Sequence, residues 1–405
     1  MTEQHDVVVV GAGLSGLRMA RLLAESGLSV LLADRKTDLG RGVHTTGIFV
    51  RRTLASFRLP PECLGPAVRH VTLYSPARRP LKLESPRDEF RIGRMAPLYE
   101  YELRRARQAG AEWAPGCRFE GLEFLRTSTL VKLTDPEGAH RLLRTRFVVG
   151  ADGTFSTAAR HLELDRNRDW IVGVEEVFRG IDVQGPPRLH VMLDPQLAPG
   201  YIAWAAHDGH ELHVGTGGHP SRFDPDRALR GVRELAGELL AGEGLIASRH
   251  ALTRASSPER RAGAIPVGGI LERLASTRGL LVGDAAGAPS PLTAGGLDPC
   301  LRLTATAAEV IVDHLTPGGA PTLAEYRGGN FRPRFVSRLA MRKLYDSLDD
   351  PRLIEAMCLA LRVLPLRLAA RHLFFGDGSF PDPSAELPLG IGVTTSRSRG
   401  AIMRT

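Results

Sequence analysis

The pattern of apolar and polar residues predicts a strand, a helix and a second strand at the start of the chain. Val7–Val10 is an apolar, β-branched run, as expected of a buried parallel strand. The helix that follows is apolar on a wide face, and residues 30–32 form the second strand, which ends at Asp34. This order of elements is typical of the first unit of an α/β nucleotide-binding fold.

Further along the chain, the pattern predicts two kinds of sheet. A first group of strands is predicted at 119–124, 130–133 and 142–149. The last of these strands is buried, and a helix with Ser156 and Arg160 near its start follows it. Consecutive strands separated by Gly, Pro and Asp turns are predicted at 170–177, 189–193, 201–205 and 212–215. The second group favours an antiparallel sheet distinct from the nucleotide-binding one. Helices are predicted over 49–64, 94–110, 225–245, 297–315 and 353–368.

We therefore expect a mixed α/β (α+β) protein with three parts. These are a Rossmann-like dinucleotide-binding domain, an antiparallel-sheet substrate domain and a helical C-terminal region. The dinucleotide-binding domain is predicted to comprise residues 1–67, 93–165 and 266–320. The substrate domain is predicted to comprise strands at 68–92 and the sheet at 166–265, and the C-terminal region covers 321–405.

Composition adds limits on size and partners. The chain has 405 residues, of which 43% are hydrophobic, enough for two joined domains with a large core. The net charge is +8, and residues 326–405 carry 12 Arg and 1 Lys against 5 Asp and 2 Glu. This surplus is compatible with an acidic partner, a membrane surface, an anionic substrate or an ordinary solvated surface. No basic patch interleaved with aromatic residues indicates a nucleic-acid partner.

Cysteine spacing and the start of the chain narrow the class further. Cys63, Cys117, Cys300 and Cys358 are widely spaced and form no C-x-x-C pair, which argues against a disulfide scaffold or a structural zinc site. We predict no metal ligand set. The first residues show no secretory signal, and no long uncharged apolar run predicts a membrane span. The expected location is the cytoplasm.

A glycine motif near the start of the chain is the first indication of a ligand-binding site. Gly11, Gly13 and Gly16 have the G-x-G-x-x-G spacing, with Leu14 and Ser15 between them at the start of the helix. Gly11 permits a tight turn, Gly13 leaves room for a pyrophosphate against bare backbone, and Gly16 allows close packing of helix on strand. The helix N-terminus attracts phosphates, and Asp34 is placed to accept hydrogen bonds from ribose hydroxyls. The motif does not specify which dinucleotide binds.

The loop after Asp34 contains further candidate residues. Arg35 and Arg41 are within reach of cofactor phosphates or adenine. His44 lies in the same loop, where a single histidine is either a catalyst or an ordinary surface or hydrogen-bonding residue.

Two later turns join the glycine motif to form a recognisable set. One is Asp152-Gly153 with Ser156 and Arg160 beyond it; the other is Gly283-Asp284 with Gly295-Gly296. Together, over residues 6–315, they resemble the FAD-binding pattern of the flavoprotein monooxygenase and geranylgeranyl reductase superfamily. The resemblance implies an FAD-dependent oxidoreductase.

The resemblance also assigns roles to residues. Gly283 and Asp284 would contact the ribityl chain, and the helix opening at Gly295, Gly296 and Leu297 would face the flavin N1/O2 edge. Arg94 resembles an arginine that contacts the cofactor. Asp152 resembles an aspartate near the FAD phosphates and an incoming nicotinamide. The alternative for Asp152 and Asp284 is that they only cap the helices after them.

Within this superfamily, two details favour the reductase branch. Residues 283–308 are similar to the reductases' segment, and Tyr201 and Trp204 are similar to their Tyr-x-Trp-x-Phe-Pro motif. The spacing is one residue longer here, Ala205-Ala206 replaces Phe-Pro, and the reductases' cysteine-bearing loop is replaced by residues 43–46. Tyr201, Trp204 and His44 are the weak catalytic candidates, with sheet packing as the alternative for the two aromatic residues.

The predicted reaction is hydride transfer from reduced flavin to a double bond of a hydrophobic, isoprenoid-type or natural-product substrate. The alternatives are a flavin monooxygenase acting on a small natural product, then a halogenase, then a non-enzymatic FAD-binding protein. Residues 215–218 are interpreted as a loop fragment, so no second dinucleotide motif is predicted. The reductant is therefore transiently docked NAD(P)H or a separate electron-donor protein.

Overall fold

The structure is a computed structural model that describes residues 3–255, 257–319, 321–363, 365–366 and 368. The strands are β1 (Glu3–Val10), β2 (Val30–Asp34), β3 (Ile48–Val50), β4 (Leu64–Val68), β5 (His70–Tyr74), β6 (Pro80–Glu84), β7 (Phe90–Gly93), β8 (Glu112–Pro115), β9 (Arg118–Phe124), β10 (Thr129–Thr134), β11 (His140–Gly150), β12 (Trp170–Arg179), β13 (Arg188–Met192), β14 (Ala203–His207), β15 (Glu211–Gly218), β16 (Glu259–Pro266), β17 (Ala275–Ser276) and β18 (Gly279–Leu281).

The α-helices are α1 (Leu14–Glu25), α2 (Arg51–Ser56), α3 (Met95–Gln108), α4 (Thr157–His161), α5 (Pro225–Gly242), α6 (Ala251–Arg254), α7 (Leu297–Leu315), α8 (Gly328–Phe331), α9 (Val336–Asp346) and α10 (Pro351–Ala360). Short 3-10 helices cover Pro61–Cys63, Gly283–Ala286, Thr322–Glu325 and Arg332–Arg334.

The first sheet is built around the buried run of β1. Its order is β17-β18-β11-β1-β2-β8, and the strands from β18 to β8 are parallel. β9 and β10 add an antiparallel extension to β11. Val7, Val8 and Val9 are fully buried because helices cover the sheet, among them α1, which also packs against α3 and α7. This is the doubly wound arrangement that places ligands at the carboxyl ends of the strands.

The second sheet has the order β16-β12-β15-β14-β13-β5-β6 and is antiparallel except between β13 and β5. Helix α5 packs on one of its faces. A small third sheet has the order β3-β7-β4, and β5 and β6 of the second sheet are inserted between its strands β4 and β7 in the chain. The expected fold class, a mixed α/β protein with a Rossmann-like domain and an antiparallel sheet, is confirmed. The division into numbered domain segments stays a prediction.

Several local predictions were wrong for identifiable reasons. The predicted helix over 49–64 is only α2, because β3 and β4 take its ends into the third sheet and Pro60-Pro61 interrupts it. Residues 215–218 are not a loop fragment but the end of β15. Strand β14 begins at Ala203, not at Tyr201, because Gly200 at φ +67° turns the chain just before it. Arg160 lies in the last turn of α4.

The C-terminal helices bury one face and expose another. Ile354 and Cys358 of α10 are buried against strands of the second sheet, and Tyr326 donates a hydrogen bond from its hydroxyl to Leu281 O at 2.8 Å. Leu364, part of the predicted stripe over 353–368, lies outside the described residues. No helix among the residues that the structure describes is long and apolar enough to cross a membrane.

Candidate active site

Three turns meet at the carboxyl edge of the first sheet. Because β1, β11 and β18 are parallel and in register, Gly11, Ala151 and Gly283 follow their last residues at the same edge. A Cβ on Gly11, whose φ is +102°, would lie 2.5 Å from Ala151 O. A Cβ on Gly283, whose φ is +60°, would lie 2.2 Å from Ser15 Oγ. Only glycine fits at these two positions, so the sequence itself enforces the convergence of the turns.

The glycine-rich turn leaves an open space in front of α1. A Cβ on Gly13 would meet no atom within 4 Å, whereas one on Gly16 would lie 1.8 Å from Gly11 O. Gly13 is the N-cap residue of α1, and no side chain caps this helix. Leu14, Ser15 and Gly16 form its first turn. The uncapped N–H groups and the vacant side of Gly13 together suit a pyrophosphate.

Asp34 braces this turn from the end of β2. Its carboxylate accepts hydrogen bonds from Ala12 N at 2.6 Å and from Lys36 N at 2.8 Å. Each carboxylate oxygen has a second lone pair, so capacity for a ribose hydroxyl remains. The ribose contact stays a prediction.

The Asp284 side chain has no hydrogen-bond or ion-pair partner among the described residues. It is partly buried, and its carboxylate accepts no hydrogen bond within the described part of the chain. Desolvation raises the pKa of Asp284 to about 6. Gly296, the N-cap residue of α7, faces it, since a Cβ there would lie 3.7 Å from Asp284 Oδ1. No side chain caps α7 at Gly296, next to Gly295 and Leu297.

These features fit FAD. An unpartnered carboxylate can accept hydrogen bonds from the ribityl hydroxyls, and two uncapped helix N-termini can face the pyrophosphate and the flavin. The glycine turns leave the backbone accessible between them. The residues present therefore match the cofactor that the sequence motifs implied.

Asp152 already has a structural role. Its carboxylate accepts hydrogen bonds from Ser156 Oγ at 2.5 Å, Thr157 N at 2.7 Å and Ala158 N at 3.0 Å. Ser156 in turn caps α4 through Ala159 N. Burial raises the pKa of Asp152 although these hydrogen bonds lower it. The helix-capping alternative is thus what the structure shows, and a contact to cofactor stays a prediction.

The predicted arginines are all on the surface. Arg35 and Arg94 are exposed, Arg94 as the N-cap residue of α3. Arg41 is exposed and forms an ion pair with Asp38 at 3.3 Å. The His44 side chain is solvent accessible, and desolvation by the protein around it lowers its pKa. It lies over Gly263, whose Cβ would be 3.1 Å from His44 Cβ.

A buried carboxylate that the sequence analysis missed connects this loop to the second sheet. Glu175 of β12 accepts hydrogen bonds from the Thr46 hydroxyl and from Trp204 Nε1, the latter at 3.0 Å. Its other oxygen lies 3.2 Å from His213 Nδ1 and 3.6 Å from Arg261. Burial alone would raise the pKa of Glu175, but the hydrogen bonds and the arginine outweigh it and lower the pKa. The only sequence signal was a charged residue inside an apolar strand.

The two predicted aromatic residues form an apolar wall beside this network. Tyr201 is buried, packs edge-on against Trp204, and donates a hydrogen bond to Thr293 O at 2.8 Å in the loop before α7. Burial raises the pKa of Tyr201 to about 12. The Trp204 indole lies over bare backbone, since a Cβ on Gly215 would be 2.3 Å from it. The residues of this wall are Ile171, Tyr201, Ile202, Trp204, Ile265, Val267 and Ala294. Tyr201 and Trp204 therefore pack within the sheet, as the alternative interpretation predicted, and they also lie beside the loop before α7.

The fold and the site together define a flavin-binding oxidoreductase. Residues 9–61 match the model of an NAD(P)-binding Rossmann-like domain. Digeranylgeranylglycerophospholipid reductase 1 of Methanopyrus kandleri is 28% identical over 369 residues, which cover 87% of this chain and 93% of that protein.

Two solved structures have the same fold. A geranylgeranyl bacteriochlorophyll reductase-like protein from Thermoplasma acidophilum has a TM-score of 0.76 and 19% identity, covering 93% of this chain and 98% of the other. The p-nitrophenol 4-monooxygenase of Pseudomonas putida has a TM-score of 0.68 and 17% identity, covering 93% and 99%. The chain is similar to geranylgeranyl reductases and flavoprotein monooxygenases, and it is an FAD-dependent oxidoreductase.

Proposed function

We propose that this enzyme reduces carbon–carbon double bonds of an isoprenoid-type lipid. The observation that carries the proposal is the match along 87% of the chain to a digeranylgeranylglycerophospholipid reductase. The apolar wall of Tyr201, Trp204 and their neighbours supports it, because these buried and half-buried side chains contact the loop before α7 and would suit a hydrocarbon chain there better than a polar substrate. Bound FAD would supply the hydride chemistry, and the protein supplies binding and orientation.

The residues of the chain divide this work. The turns at Gly13 and Gly283, with Asp284 and the start of α7, would hold the cofactor. The Glu175 network fixes the loop of Thr46 against the second sheet, so the cofactor loops and the apolar wall keep a constant separation. Such preorganisation is what hydride transfer requires, because the reacting atoms must be held in near-contact.

The reductant is proposed to dock in a basic cleft beside the Asp152 turn. This cleft of about 700 Å³ is lined by residues 154–157 and 268–271 and by five arginines, Arg160, Arg166, Arg168, Arg273 and Arg332, against two aspartates, Asp165 and Asp169. Arg166 and Arg168 are exposed. Positive charge of this density suits the phosphates of NAD(P)H or an acidic donor protein. In an Arg166→Glu/Arg168→Glu variant, flavin reduction by NADPH or by the donor should slow at least tenfold, while reduction by dithionite should be unchanged.

A membrane surface is proposed as the source of the lipid. Of the large exposed apolar side chains in the described chain, eight lie between residues 336 and 368: Val336, Met341, Leu344, Leu353, Leu359, Val363, Leu366 and Leu368. They accompany the basic surplus of residues 326–405. This combination favours an anionic bilayer. The protein should co-sediment with anionic vesicles, and a Leu344→Glu/Leu353→Glu variant should not.

The central test begins with the colour and redox behaviour of the protein. The purified protein should be yellow, and colourless protein that cannot be loaded with FAD would refute the proposal. The flavin is then reduced without oxygen and mixed with a digeranylgeranylglycerophospholipid. Mass spectrometry should show the gain of two hydrogens for each double bond reduced.

The same preparation separates the alternative reaction. If substrate is converted only after air is admitted, and the product gains an oxygen atom, the enzyme is a monooxygenase. That outcome would agree with the fold of the Pseudomonas putida enzyme and overturn the reductase proposal.

A further inference from the structure

The hairpin between β14 and β15 carries a group of side chains that the proposed reaction does not use. Asp208, Glu211 and His213 each offer one ligand atom, and these atoms all lie within 4.8 Å of one another. His213 Nε2 lies 3.8 Å from Glu211 Oε2. Two ligands that are each about 2.1 Å from one metal ion lie about 3 to 4 Å apart. The His213–Glu211 distance is within that range, and the three ligand atoms are close enough for small side-chain adjustments to place them around one ion.

The orientation of His213 points to a cation. His213 is 1% exposed, and its Nδ1 faces Glu175 Oε1 at 3.2 Å. The Glu175 carboxylate can only accept, so Nδ1 is the donor in this contact and Nε2 is the nitrogen that faces the group. Nε2 is buried and has no hydrogen-bond partner within the described part of the chain, which is unfavourable for a polar atom. A histidine whose second nitrogen donates to a carboxylate is the common arrangement of a metal ligand.

The two carboxylates complete the group. Glu211 uses Oε1 to accept a hydrogen bond from Arg179 at 2.6 Å, which leaves Oε2 directed to His213. Asp208 is 1% exposed, and its Oδ1 accepts from the backbone of His210 and Glu211 at 2.8 and 2.6 Å. Its second oxygen accepts no hydrogen bond within the described part of the chain. Glu211 has Arg179 as an ion-pair partner and Asp208 has none among the described residues, so a cation between the two carboxylates would offset their repulsion.

A second group with the same residue types provides a contrast. Glu3, His5 and Glu112 also lie within ligand distance of one another. There, Arg141 contacts Glu3 at 2.7 Å and Glu112 at 3.1 Å, and His5 Nε2 already lies 2.9 Å from Glu3 Oε1. The arginine supplies the positive charge, so that group has no need of a metal. In the hairpin group, Arg179 pairs with Glu211 alone, and no arginine or lysine of the described residues bridges two of the ligands.

We propose that Asp208, Glu211 and His213 bind one divalent transition-metal ion, with Glu175 as the positioning residue of His213. A nitrogen and two oxygen ligands suit Zn²⁺ and disfavour Mg²⁺, which prefers oxygen ligands alone. The metal would join the turn of the hairpin to the strand that carries Glu175. The site was not predicted from the cysteine spacing because it contains no cysteine.

The test uses the full-length, FAD-loaded protein after treatment with a chelator and dialysis. Titration calorimetry with ZnCl₂ should show one site per chain, and elemental analysis should find one Zn²⁺ retained after gel filtration. The His213→Gln and Glu211→Gln variants should each bind at least tenfold more weakly. The matched control is His5→Gln, which should bind like wild type.

Two results would overturn the proposal. One is wild-type protein that retains no Zn²⁺; the other is unchanged affinity in both hairpin variants. Glu211 is partly exposed, so Glu211→Gln keeps the test valid if His213→Gln fails to fold. The flavin spectrum of each variant verifies that the remainder of the protein is intact, which separates this test from that of the proposed reaction.

Discussion

Substitution of Gly13 separates cofactor binding from folding. The residue has φ −71° and ψ −179°, which any amino acid adopts, and a Cβ there would meet no protein atom within 4 Å. Gly13→Ala should therefore leave the unfolding free energy of the apoprotein within about 1 kcal/mol of wild type, since the gain from a less flexible unfolded chain offsets the poorer helix cap.

The binding of FAD should respond differently. The added methyl group occupies the space that a pyrophosphate would fill against the backbone of residue 13. We expect FAD affinity to fall at least tenfold, which corresponds to about 1.4 kcal/mol. Gly13→Val should enlarge the effect. The loss is measured by fluorescence titration of apoprotein with FAD, and stability by urea unfolding of the same apoprotein.

Two other glycines serve as references. Gly11→Ala should destabilise the apoprotein itself by about 2 kcal/mol or more, because its φ is +102° and its Cβ would lie 2.5 Å from Ala151 O. Gly242→Ala, at the exposed end of α5, should lower neither the stability of the apoprotein nor its affinity for FAD, since the added Cβ would meet no atom within 4 Å. If Gly13→Val binds FAD as tightly as wild type, the pyrophosphate does not lie where we place it.

Three further changes test the network around the cofactor. The pKa of Asp284 is raised to about 6, so the folded state favours the protonated carboxyl. The contribution of this group to the free energy of unfolding is fully present below its unfolded pKa and is lost as the pH rises through about 6. Asp284→Asn should therefore stabilise the apoprotein at pH 8 by on the order of 2 kcal/mol in urea unfolding, while weakening FAD binding, and equal stability at pH 8 would contradict this. Glu175→Gln should cost about 3 kcal/mol in chemical denaturation because Arg261 and His213 lose their buried partner, and a loss below about 1 kcal/mol would show that the pair is not coupled. Tyr201→Phe should lower the free energy of unfolding by about 1 kcal/mol, because the hydrogen bond to Thr293 O is lost. Wild-type stability in this variant would show that the hydrogen bond does not stabilise the fold.

The cofactor turns were predictable because their signals are local. Gly11 and Gly283 have positive φ, and each follows a short buried strand. The position of each turn and its backbone conformation can therefore be predicted from neighbouring residues. Parallel strands then bring these turns to one edge of the sheet without further information. Asp152 shows the limit of such signals, because an aspartate before a helix looks the same whether it caps the helix or contacts a ligand.

The Glu175 network could not be predicted in this way. Its partners, Thr46, Trp204, His213 and Arg261, come from four other segments of the chain, and only the register of the antiparallel sheet brings them together. The alternation of apolar residues in β12 places Glu175 on a buried face but does not name what it meets. The start of β14 at Ala203 was missed for a similar reason, since the turn at Gly200 overrides the apolar pattern of residues 201–205.

The contact between Trp204 and Gly215 restricts which substitutions this part of the second sheet can accept. A single methyl group on Gly215 would displace the indole and with it the hydrogen bond from Nε1 to Glu175. That bond also holds the carboxylate that anchors Thr46 in the cofactor loop. A change of substrate range made through this strand would therefore disturb the cofactor loop as well.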